Sequence, residues 1–354
     1  MKTTVAGGRA WHFSHSIGRQ TAEHNESKYG ITGGSCSPMD VAVSSEGIIF
    51  ILSRGFGYKI EGYFGDVGIR IGKTTIDENH IGDFARNGTT WPNSLAVSYD
   101  GYIYCTDEYE NTIYVFDPNK IYPFPEANES GESILKWGIS GSKPGEINGP
   151  TGLAFNKENN IYVVDSKNNR IQLFSDTGEF IKTWGNEGNS YGEFSNPWGI
   201  YIDCEDNIYV ADWGNNRVQK FNSEGSYLFT YGEGDDPAGK LNHPAHVAVD
   251  SDGDVYVADW GANRVQIYES DGEHICSLYG DIQSPLDSKA GYYVTHRDPE
   301  TVKQYAQVDD LSPLGKFGRP LAIEVDHEDR VIVADSKHRL QIYRKDNTYV
   351  APKL

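Results

Sequence analysis

Two residues of this 354-residue chain stand out for their chemistry: Arg54, in Ser53-Arg54-Gly55, and Tyr109, in the turn DEYEN at residues 107–111. A guanidinium facing a cavity holds a carboxylate or oxyanion through two parallel hydrogen bonds. A tyrosine beside it serves as a general base when its pKa is lowered. Glu108, next to Tyr109, is grouped with the substrate-binding residues. Trp198, Trp213 and Trp260 occupy turn-like positions where asparagine and glycine announce exposure. Such rings suit a planar or sugar-like ligand, or a cationic one in an acidic field; the alternative is that they fill clefts of the fold. Asp40, Asn93 and His246 offer oxygen and nitrogen donors for a divalent ion, zinc or calcium, that would polarise the reacting oxygen. Their spacing is not diagnostic, and a lone histidine near a turn is commonly only hydrogen-bonded.

A repeat positions these residues. Units open on SPMDVAV at Ser37, WPNSLAV at Trp91, GPTGLAF at Gly149, NPWGIYI at Asn196, HPAHVAV at His243 and RPLAIEV at Arg319. After a short turn comes a second apolar run, ending FILS, YCTD, YVVD, YVAD, YVAD and IVAD. A third run follows: YKIEGYF, TIYVF, RIQLF, RVQKF, RVQIY and RLQIY. Several units close on Trp-Gly or Tyr-Gly, at Trp137, Trp184, Tyr231 and Tyr279. Short runs rich in Val, Ile and Tyr between turn residues are strands of a meander. Four strands per unit, at the 47-residue spacing of Pro150, Pro197 and Pro244, describe a propeller blade. The chain is therefore expected to be all-β, a six-bladed propeller of four-stranded antiparallel blades starting near residues 38, 92, 150, 197, 244 and 320. The strand-like stretch at residues 9–18 belongs to no unit and is expected to close the ring as the outer strand of blade six.

The recurring D-x-x-N-x-R motif has a local reading. The aspartate caps the turn, glycine or asparagine tolerates positive φ, and Arg170, Arg217, Arg264 and Arg339 reach a neighbouring acid. Residues repeated in register are structural before they are catalytic. The irregular features mark the site instead. Pro320 follows Pro244 by 76 residues, 29 more than the period. This insertion, residues 281–318, lies between blades five and six and reads as a lid carrying Tyr292 and His296, with a decorative excursion as the alternative.

The bulk composition excludes several classes. The net charge of −20 and pI near 4.8 speak against nucleic acid as a partner. No apolar h-region or membrane-length apolar run is seen, so a cytoplasmic protein without a membrane partner is expected. The four scattered cysteines suggest neither a zinc pair nor a disulfide framework. No phosphate-binding loop stands out, so no nucleotide cofactor is expected; IGKTT at residues 71–75 lacks the upstream glycine spacing.

The units GPTGLAFNKENNIYVVDSKNNRIQLF and NPWGIYIDCEDNIYVADWGNNRVQKF resemble NHL repeats, over essentially residues 38–345. That resemblance implies the propeller fold. It leaves function open, because the class includes RNA-binding scaffolds, protein-interaction modules and the zinc-dependent peptidylglycine amidating lyases. The Arg54-Gly55 pair resembles an active-site Arg-Gly of those lyases, and Tyr109 their tyrosine in D-x-Y-x-N, which lies in a different blade there. Their zinc histidines directly follow the opening prolines. Here those positions are Met39, Asn93, Thr151, Trp198, Ala245 and Leu321. Calcium-dependent lactonase propellers use carboxylate and asparagine ligands at similar depth. Two readings follow: a lyase or hydrolase acting on a small organic molecule at the channel mouth, or a non-catalytic module binding a peptide, protein or glycan there. Oligomeric state is not readable.

Overall fold

The computed structural model describes residues 3–18, 37–54, 69–85, 88–120, 133–281, 315–337 and 339–350. It forms six antiparallel sheets in a ring, the expected six-bladed propeller. The innermost strands are Pro38–Val43, Pro92–Val97, Pro150–Phe155, Ile200–Ile202, Pro244–Val249 and Pro320–Val325. Each touches the next, and the sixth touches the first, so they surround a common axis. Opening on proline suits strands whose first residue needs no ladder donor.

The second strands are fully buried where they end in aspartate, and the third strands pair with them in register, Asp165 with Arg170, Asp212 with Arg217 and Asp259 with Arg264. Buried side chains from neighbouring blades then merge into shared clusters. Tyr209, Val218 and Tyr231 of blade four, for example, pack with Val247, Val257 and Tyr268 of blade five. The closing tryptophans fill the same clefts: Trp184 sits against the turn at Gly225 (φ +84°), where an added Cβ would lie 2.8 Å from the indole. Only glycine suits that turn on both counts.

Ring closure follows the expectation and goes one strand further. Arg9–Ile17 pairs with Arg339–Asp346 as the outer strand of blade six, and Thr3–Ala6 adds a fifth strand outside it. Trp11, wholly buried, donates from Nε1 to Tyr256 Oη at 3.0 Å and so ties the N-terminal strand to blade five. His12 bonds Thr3 and His15 bonds the Ile76 carbonyl, so the two imidazoles diverge.

Blade one differs from the reading of the sequence. Its third strand is Arg70–Thr74, paired with Ile49–Ser53; the run YKIEGYF lies outside the described residues. Arg70 explains the choice, since it pairs with Ser53 at the register position that Arg170 and Arg217 hold elsewhere. Its acid is supplied by the outer strand, with Asp83 at 3.2 Å. IGKT is thus strand. The lid at residues 281–318, with Tyr292 and His296, also lies outside the described residues except at its ends.

The motif aspartates do more than was read from them. In blades three to five they do not cap their own turn. Asp165, Asp212 and Asp259 instead accept from the backbone N–H of Asn148, Ser195 and Asn242 in the loop entering the blade, at 2.6–2.8 Å. The other carboxylate oxygen receives Nε of Arg170, Arg217 or Arg264 at 2.7–2.8 Å. The turn asparagines Asn111, Asn169 and Asn216 accept the N–H of Gly149, Asn196 and His243, the residues preceding the next blade's proline. A buried acceptor-and-donor set of this kind costs little because nearly every group is satisfied. Asp107 of blade two does cap its turn, accepting from Tyr109 and Glu110 at 3.0 Å.

Candidate ligand-binding site

Two residues per blade border one opening of the ring: the residue after the second strand and the residue before the opening proline. The backbone joins them within a blade, as in Arg54 N to Ser37 O at 3.2 Å and Glu108 N to Trp91 O at 3.0 Å. Side chains join them between blades. Arg54 stacks on Trp91 at 4.3 Å, Trp213 meets His243 at 4.1 Å, and Trp260 carries Arg319 at 4.1 Å. The pre-proline residues Trp91, His243 and Arg319 were not singled out in the sequence, although the repeat register marks them.

One half of this rim is aromatic. Trp213 lies 6.5 Å from Trp198 and 6.2 Å from Trp260, centroid to centroid, at tilted to edge-on angles. The three expected tryptophans therefore do converge, and all stay partly accessible. Glycine makes this possible in an unexpected way. A Cβ on Gly214 or Gly261 would stand 2.6 Å from the carbonyl of Ser195 or Asn242, so these turns hug the preceding loop. The tryptophan before each is left at the rim. Gly152 and Gly199 leave no room beside the rings. Their space is taken by the carbonyls of Trp198 and Ala245 on the next blade, 2.5 Å from an added Cβ.

The other half is polar and spans blades one to three. Arg54 donates from Nε to the Pro92 carbonyl at 2.7 Å and from its second terminal nitrogen to Asn93 Oδ1. Asn93 passes the contact on, Nδ2 to Glu108 Oε2 at 2.9 Å, and Lys167 Nζ reaches Glu108 Oε1 at 3.1 Å. Burial brings Arg54 down to about 10, against the pull of Glu108 and Asp107. Burial opposes ionisation of Glu108, but the hydrogen bonds from Asn93 and Lys167 and the charges of Lys167 and Arg54 hold it below its usual range. Tyr109 is 75% exposed, with its backbone rather than its phenol fixed by Asp107.

The three candidate metal donors lie in different settings. Asn93 is taken at both ends by Arg54 and Glu108. Asp40 accepts from Ser94 Oγ at 2.6 Å, Leu95 N at 2.7 Å and Val41 N at 2.8 Å. Among the described residues, no group of three His, Cys, Asp or Glu side chains is placed to hold an ion. Asp40 and His246 lie two residues past the opening prolines, on the innermost strands of blades one and five, and His246 acts on the charge of Asp40.

Residues 148–174, 194–221 and 241–268 match the NHL repeat family. A comparison with curated proteins finds no match. Among solved structures, a protein of unknown function from Bacteroides thetaiotaomicron aligns with 96% of this chain and 76% of its own, at TM-score 0.62 and 18% identity. A catalytically inactive virginiamycin B lyase from Staphylococcus aureus with quinupristin aligns over 94% and 99%, at TM-score 0.51 and 12% identity. A chain of a nidogen/laminin complex aligns over 76% and 93%, at TM-score 0.53 and 14% identity. These identities convey a shared fold and nothing of chemistry. Among the described residues, no helix is long and apolar enough to cross a membrane. The chain is a six-bladed β-propeller that carries three NHL repeats.

Proposed function

We propose that the rim bearing Trp198, Trp213 and Trp260 is a binding site for a small organic ligand with a planar or saccharide ring. The observation that carries this reading is the contiguous tryptophan row. Blades three and six place serine at the positions of Trp213 and Trp260 (Ser166 and Ser336), so the fold does not require an indole there. Stacking on such rings contributes on the order of 1 kcal/mol per contact beyond area burial. Arg54 supports the anionic part of a ligand, because two of its nitrogens are fixed on blade two and Trp91 backs the guanidinium.

A second reading, a lyase or hydrolase at the same mouth, is favoured by Arg54 and Tyr109 lying on adjacent blades of one rim. Of the proteins sharing the fold, one is a lyase and another a chain of a nidogen/laminin complex, so kinship of fold does not choose. Intrinsic fluorescence titration of ring compounds, sugars, lactones and esters tests both. Binding lost in Trp213→Ala at an unchanged melting temperature supports the site. Turnover lost in Arg54→Lys or Tyr109→Phe would make it an active site. Equal titration curves for wild type and Trp213→Ala would end the proposal.

A further inference from the structure

Glu324 breaks the repeat. At its position on the innermost strands the other blades have Ala42, Ala96, Ala154, Tyr201 and Ala248. It lies two residues deeper along the axis than Asp40 and His246, ~7 Å at 3.3 Å per residue. Among the described residues its carboxyl makes no hydrogen bond and no ion pair. The charges that act on it are Asp40 and Asp326, both acids, and Asp326 already holds Arg330 at 2.6 Å. Desolvation inside the ring, with those two charges, pushes the partly accessible Glu324 up to about 8. His246 is 8% exposed, and its Nδ1 has no partner. Tyr201 spends its hydroxyl on the Val249 carbonyl at 3.0 Å. The innermost strands thus bring two carboxyls together next to an imidazole whose Nδ1 is buried and unsatisfied, with no lysine or arginine acting on Glu324. A carboxylate that faces other acids with no cation beside it is disfavoured, and a cation placed there relieves it, all the more readily because the Glu324 side chain stays partly accessible.

We propose that the lumen at Asp40, His246 and Glu324 takes the ammonium group of a ligand whose ring rests on the tryptophan row. This rests on the reading of the rim given above and names its ligand class as an aromatic or cyclic amine. Trp198 precedes Gly199, which stands at the level of Asp40 and His246, so one short linker spans ring and ammonium. A single ammonium suits the lumen better than a chelated ion, since no three of these donors surround one point. Asp40 retains one lone-pair site, on Oδ1, beyond its three hydrogen bonds, and the Glu324 carboxyl makes none among the described residues.

Calorimetric titration with phenethylamine and its neutral counterpart 2-phenylethanol tests the proposal, with calcium as a third arm. The amine is expected to bind at least about tenfold more tightly, as a charge-assisted hydrogen bond implies. Glu324→Gln should erase that preference and leave 2-phenylethanol unchanged; Asp40→Asn should reduce it. Trp213→Ala should weaken both compounds equally. Equal affinity for amine and alcohol, or a preference that survives Glu324→Gln, overturns the lumen site while leaving the rim intact. Calcium binding abolished by Glu324→Gln would replace the ammonium with a metal. If Trp213→Ala changes nothing while Glu324→Gln removes the preference, the rim reading fails and the lumen site stands. Glu324 has no partner to lose, so Glu324→Gln should fold; its unfolding midpoint, measured in parallel, checks this.

Discussion

Removing Arg217 tests how the blades are held together. Its side chain is 2% exposed and ion-paired with Asp212, which is fully buried, at 2.8 Å. The terminal nitrogens donate to the carbonyls of Asn189 at 3.0 Å, Ser190 at 2.7 Å and Glu193 at 3.0 Å, the loop that enters blade four. In Arg217→Met the aliphatic volume survives, while these four contacts and a longer one to Glu233 at 3.4 Å go. Asp212 keeps neutral donors from Ser195, Asn215 and Gln219, but its charge loses its cation. Breaking one partner from a buried pair costs about 3–5 kcal/mol. The loop carbonyls lie nearer to water and add less. Urea unfolding of wild type, Arg217→Met and Asp212→Asn/Arg217→Met should therefore show a loss of about 3–5 kcal/mol for the single variant and less for the double. Burial already raises the pKa of Asp212, ahead of the hydrogen bonds that oppose it, and loss of Arg217 raises it further. A carboxyl with a folded pKa above its unfolded one is a penalty that is full above the folded pKa. The penalty shrinks as pH falls through that pKa toward ~3.9, where the unfolded carboxyl also protonates. The deficit of Arg217→Met should narrow on acidification. A deficit under about 1 kcal/mol, or one that widens in acid, would refute the account of the pair as cement.

Two further outcomes are expected. Lys345 is 1% exposed and lies 2.6, 2.9 and 2.7 Å from Asp250, Asp252 and Asp254, joining the last strand to blade five; Lys345→Met should cost about 3–5 kcal/mol in chemical denaturation, and a neutral result would remove that link from ring closure. Glu108 is held below its usual pKa, so its contribution is present above its unfolded value of ~4.3 and is lost as pH falls through the folded one; melting curves of wild type and Glu108→Gln should differ at neutral pH and converge in acid, and parallel curves across that range would contradict the assignment.

The repeat was legible because its signals are local. Prolines opening strands, period-two apolar runs and turn asparagines are dictated within a few residues, and they sufficed for six blades and an N-terminal closing strand. Arg54 and the three tryptophans were found as departures from that repeat, and their gathering on one rim follows from connectivity. What could not be read depends on neighbours from other blades. Asn93 is consumed by Arg54 and Glu108, Arg70 draws its acid from an outer strand, and Gly152 gives way to the backbone of blade four. Glu324 is an ordinary acid in a strand until the ring brings Asp40 to it without a cation. The sequence by itself thus determined the blades, because strand and turn preferences act at short range. The tertiary structure alone decided which polar groups are satisfied and which are left for a ligand, because burial and Coulomb interactions depend on distances across the axis that no local pattern encodes.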